Sequence, residues 1–104
     1  MASEATIRFN FKKALAQADQ LDTIANNLSK LSSGDLNGTL QVVSANWKGQ
    51  NASAYLAKGG KLQGNITSTA KELHGIASDI RTIAQRVYRA EMAALAIAQA
   101  RKYK

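Results

Sequence analysis

His74 is the only histidine of this chain, and Asp19 and Asp22, three residues apart, are its most closely spaced carboxylates. Two carboxylates at that spacing share a helix face and could hold a cation weakly, and an imidazole could ligate a metal or carry a proton near neutral pH. Neither group has the company such chemistry needs. There is no cysteine to complete a metal set, and no second histidine. Asp19 and Asp22 therefore read as a solvated polar face, and His74, between Leu73 and Gly75, as an ordinary helix-surface residue. The run Gly34-Asp35-Leu36-Asn37-Gly38 has the glycines of a phosphate cradle. It lacks the Lys-Ser/Thr pair and the strand-loop-helix setting. No metal, cofactor or catalysis is expected.

Positive charge is the other chemical resource. The net charge is +7, and it is uneven: residues 1–50 carry five Lys/Arg against four acids, residues 51–104 nine against three. Lys58, Lys61, Lys71, Arg81, Arg86, Arg89, Arg101, Lys102 and Lys104 could displace counterions from phosphates, which makes an intracellular helical nucleic-acid-binding protein the rival functional class. Against it, one Trp, three Tyr and two Phe are too few, and too little interleaved with the bases, to form a stacking platform. A solvated basic face, or electrostatic matching to an acidic partner hairpin, accounts for the charge more simply.

The elements that carry these residues follow from spacing. Hydrophobic content of 45% with 20% charged residues reads as one folded domain over residues 1–104. Absence of cysteine leaves the compartment undecided. The first residues hold no apolar signal core, and the longest apolar run, Met92 to Ala98, is far short of the roughly 20 residues that span a bilayer. From residue 52 on, Ala52, Tyr55, Gly59, Leu62, Ile66, Thr69, Leu73, Ile76, Ile80, Ile83, Val87, Ala90, Ala94 and Ile97 alternate steps of three and four. That spacing predicts one long helix over about 51–102 packed lengthwise along this seam, with Asn51 or Ser53 capping its start. Ala70, Ala77, Ala84 and Ala98 form an offset stripe of small residues.

Upstream, Ile7, Phe11, Ala14, Ala18, Leu21, Ala25 and Leu28 repeat the spacing, and predict a first arm over about 5–46. The turn formers of 32–38 suggest that this arm kinks or splits there. Between the arms stands Trp47-Lys48-Gly49, with a turn over 47–50; Gly49 would serve as a C-cap and Trp47 would cover the open end of the hairpin. The fold class is all-α: two long antiparallel helices in a hairpin. Ile24, Leu31, Leu36 and Leu56 lie off the main seam, so a second apolar stripe asks for another hairpin and a dimeric four-helix bundle.

With a central Trp47-Lys48-Gly49, two amphipathic arms, no cysteine, and Asn51-Ala52-Ser53-Ala54-Tyr55 opening the second arm, the chain resembles the WXG family of about 100 residues, the ESAT-like substrates of type VII (ESX) secretion. The resemblance covers nearly the whole chain. It implies a non-enzymatic substrate or targeting partner, cytoplasmic before export and secreted without a cleavable signal peptide. It also implies pairing as a homodimer or heterodimer with a related hairpin or with the helical N-terminal domain of a larger toxin, and recognition by the secretion ATPase of the type VII machine. The family's export signal places an acid four residues after a tyrosine. Here Tyr88 is followed by Glu91 three places on, with Met92 in the fourth place, and Tyr103 has no acid after it. Tyr88 and Glu91 are the candidates for a variant signal, and a partner is the alternative carrier.

Overall fold

The computed structural model describes residues 3–102, so Tyr103 and Lys104 lie outside the described residues. Among the described residues the architecture is all-α, a helical hairpin in order α1 (Glu4–Lys30), a π-helical segment (Leu31–Leu36), α2 (Asn37–Asn46) and α3 (Gln50–Lys102). Ser3 caps the start: its hydroxyl accepts the Thr6 N–H at 3.2 Å and its carbonyl accepts the Ile7 N–H at 3.0 Å. Glu4 in the first turn of α1, and Arg101 and Lys102 in the last turn of α3, place charge where the helix dipoles favour it.

The turn formers of 32–38 do not end the first arm. The chain widens into a π-helix over Leu31–Leu36, and helical dihedrals continue at Lys30 (φ −65°, ψ −40°) and Asn37 (φ −61°, ψ −42°). Such π-helical turns occur mostly as single widened turns inside otherwise continuous α-helices. The true break is at the tryptophan. Trp47 is extended (φ −126°, ψ 120°), its N–H donates to the Val43 carbonyl at 2.9 Å, and the Asn46 amide and Lys48 ammonium donate to the Val42 and Ser44 carbonyls. Gly49 sits at φ 111°, a region open to glycine. It is not a C-cap, as the spacing suggests, but the N-cap of α3: its carbonyl accepts the Ser53 N–H at 3.1 Å. Asn51 and Ser53 accordingly lie within the first turn of α3 and do not cap it.

Packing divides the chain into two units, residues 1–21 with 75–104 and residues 22–74. In the first unit Phe11 stacks on Tyr88 (centroids 4.7 Å apart, 27° between planes) and Asp19 accepts from Arg81 at 2.7 Å, so α1 and α3 run antiparallel. Among the described residues, Ile7, Ala18 and Ala77 are buried in it. In the second unit Asp22 meets His74, Ser32 meets Gln63 and Thr67, and Trp47 meets Tyr55, which is the pairing of two arms converging on their turn. Ala25, Ala52, Ala70 and Ser32 are buried there.

The expected seam of the second arm is corrected. Ala52, Gly59, Ile66, Leu73 and Ile80 are buried or half-buried, whereas Tyr55, Leu62, Ile76, Ile83, Val87 and Ile97 are between 48% and 57% exposed. The inward face combines those seam positions with the small-residue stripe, in which Ala70 and Ala77 are buried and Ala84 and Ala98 half-buried. Alanines let two helix axes approach more closely than leucine or isoleucine would, so backbone and Cβ surfaces pack directly and the larger side chains turn outward.

Candidate partner-binding surface

Trp47 is 46% exposed and lies against Tyr55, centroids 5.8 Å apart and 55° between planes. It does not plug the end of the hairpin. The extended backbone at Trp47 and the positive φ at Gly49 leave the ring on the surface beside α3, an amphipathic aromatic pair open on one face. Of the four apolar residues read as a partner face, Ile24 and Leu31 are 49% and 45% exposed, and Leu36 and Leu56 are half-buried. Leu36 lines two shallow grooves of the second unit. One, about 230 Å³, also holds Leu40, Tyr55 and Leu62; the other, about 270 Å³, holds Leu31, Leu62 and Ile66. Ile24 and Leu56 line neither.

Tyr88 and Glu91 come together in the first unit, where both line a groove of about 270 Å³ with Phe11, Ala14, Ile83 and Val87. Both are half-buried. Tyr88 is held by its stack on Phe11, and it lies near enough to Arg8 to act on it electrostatically. The Arg8 guanidinium is held above its ordinary value, first by its hydrogen bond to Glu4 (2.9 Å) and then by the fields of Tyr88 and Glu4. Ile83 and Val87 form the groove's outer lip at 57% and 48% exposure.

Cross-helix polar contacts are what the spacing does not reveal. His74, read as an ordinary surface residue, bonds Asp22 through Nδ1 at 2.7 Å, and Asp19 takes Arg81. The two aspartates thus reach across to bases on α3, Asp19 with its side chain 73% exposed and Asp22 with 28%. Among the described residues no cluster of three His, Cys, Asp or Glu is placed to hold a metal. At the π-helix, the Gln63 amide donates to the Ser32 carbonyl at 2.9 Å and to Asn37 Oδ1 at 3.3 Å, while the Ser32 hydroxyl donates to the Gln63 carbonyl at 3.2 Å. Ser32 is 2% exposed, so this network satisfies polar groups that the widened turn would otherwise leave buried and unpaired. A signal exists in the sequence: Gln63 stands between Gly59 and Ile66 at inward spacing, and Ser32 follows Ala25 and Leu28 in the same way.

The family WXG100, described as proteins of 100 residues with WXG, matches residues 6–92. No curated protein and no solved structure matches the chain. Among the described residues no helix is long and apolar enough to cross a membrane.

Proposed function

The chain belongs to the WXG100 family, which implies a small type VII secretion substrate, and from that premise we propose that it is exported by the type VII route paired with a helical partner. The pairing is with a related hairpin or with the helical N-terminal domain of a larger secreted toxin. The chain acts by binding and carries out no catalysis. The observation that supports this reading is the outward set of large apolar side chains on α3, half exposed in the isolated chain and spaced for a helical neighbour. Tyr88 and Glu91, on one groove wall, serve as the variant export signal read by the secretion ATPase.

Export is the test. The protein should reach the medium of a strain with an active type VII machine and stay inside when the machine is deleted. Tyr88→Ala and Glu91→Ala should abolish export with helicity retained by circular dichroism, and Tyr88→Phe, which keeps the stack on Phe11, separates signal from packing. Trp47→Ala should lower stability by about 2 kcal/mol, below the roughly 3 to 5 of a buried aromatic, because the ring is already half in water. Its export should fail all the same. Retention of the wild-type chain in the cytosol of the secreting strain, with its partner co-expressed, overturns the reading.

A further inference from the structure

Resting on that reading of export as a pair, we infer that the groove of the first unit docks an acidic partner helix and not a second copy of this chain. The groove is an apolar slot built by Phe11, Ala14, Ile80, Ile83, Ala84 and Val87, open enough to take side chains from one helix face. Lys13 follows Asn10 by three residues, and Arg86 follows Ile83 by three, so each neighbours a lining residue on its own helix surface. Both are exposed. The contacts of Phe11 with Tyr88 and of Asp19 with Arg81 put Lys13 and Arg86 at the same level of the antiparallel pair. The slot therefore has a cation on each rim, and Asp79, four residues before Ile83 and also exposed, lies on the same rim as Arg86.

Charge decides the occupant. The segments 1–21 and 75–104 hold nine Lys/Arg and four acids. Glu4 is engaged by Arg8 and Asp19 by Arg81, both within the unit. A symmetric dimer through this groove would set two units of net positive charge against each other, since an isologous interface meets its own patch. Like charges brought together at an interface rim disfavour the pairing, whereas carboxylates flanking an apolar ridge would meet Lys13 and Arg86 favourably and steer the encounter. Glu91 marks one end of the slot, so the partner's carboxylates belong at the level of Lys13 and Arg86, away from that end.

Two synthetic amphipathic helical peptides with one shared apolar seam, flanked by Glu in one and by Lys in the other, test this on the full-length protein. By fluorescence anisotropy at low salt the Glu peptide should bind at least about tenfold more tightly, and the preference should shrink as salt screens the rim. Lys13→Glu with Arg86→Glu should invert the preference. Ile83→Asp, at an exposed position that tolerates a polar group, should abolish binding of either peptide with the circular dichroism unchanged. Equal binding of the two peptides, or no binding of either, overturns the inference. So does a dimer of the chain alone in sedimentation equilibrium that Ile83→Asp dissociates, because the groove is then filled by a second copy. A short DNA duplex that binds as tightly as the Glu peptide, and loses binding with the double charge reversal, overturns it in favour of phosphate. None of these outcomes touches machine-dependent export, so the two readings fail separately.

Discussion

Both units pair small and aromatic residues across the two arms, but the unit of residues 22–74 adds a part-buried polar network, whereas the unit of residues 1–21 with 75–104 adds the exposed Asp19–Arg81 bond. In the former, Ser32, Gln63, Thr67, Asn37 and the Asp22–His74 pair fix which residue lies opposite which. In the latter, Ala18 and Ala77 are fully buried, Phe11 stacks on Tyr88, and an apolar slot remains open beside them. Hydrogen bonds demand one register, because a shift strands buried donors and acceptors; apolar contacts tolerate sliding but leave surface that a partner can use. Among the described residues, the difference gives the former unit a part-buried polar register that the latter lacks, while both leave apolar grooves at the surface.

The strongest way to break that contrast is to add bulk where close approach holds the first unit. Ala77 is fully buried, so Ala77→Leu forces the helices apart and should destabilise by about 2 to 3 kcal/mol, seen as a fall in Tm and in the urea midpoint. A loss below half a kcal/mol would show that the alanine face is not a tight contact.

Next in size, Gln63→Leu removes the amide that satisfies the Ser32 carbonyl and Asn37, and should lose about 1 to 3 kcal/mol. Faster hydrogen exchange should be confined to residues 31–37. Exchange rising equally at Phe11 and Tyr88 would show that the polar network does not belong to its own unit.

The smallest effect sharpens the comparison at the glycines. Gly75→Ala meets open space in a helix interior and should stabilise by about 0.5 to 1 kcal/mol. Gly59→Ala should gain less or lose, because the new methyl falls on the Leu40 side chain, which must move aside. Equal gains in thermal melts would mean that Leu40 relocates freely.

Much of the fold was legible before the structure. Ile7, Phe11, Ala14, Ala18, Leu21, Ala25 and Leu28 are the inward face of α1, and all are buried or half-buried. The candidate surface was legible only in part. Ile24 and Leu31 are exposed, but Leu36 and Leu56 are half withdrawn, and the larger exposed set on α3 came from the seam assigned to the interior.

Sequence by itself determined the all-α class, the two arms and the break at Trp47-Lys48-Gly49, because helical periodicity and the backbone freedom of Gly49 are properties of the local chain. Tertiary structure decided the rest. Two adjacent stripes on α3 are both apolar, and periodicity ranks them by size; burial ranks them by how closely the neighbouring helix can come, which favours Ala70 and Ala77 over Ile76 and Ile83. Likewise the π-helix at Leu31–Leu36 and the pairing of His74 with Asp22 each depend on a residue more than two dozen positions away. A local pattern holds no record of such a neighbour until the hairpin closes.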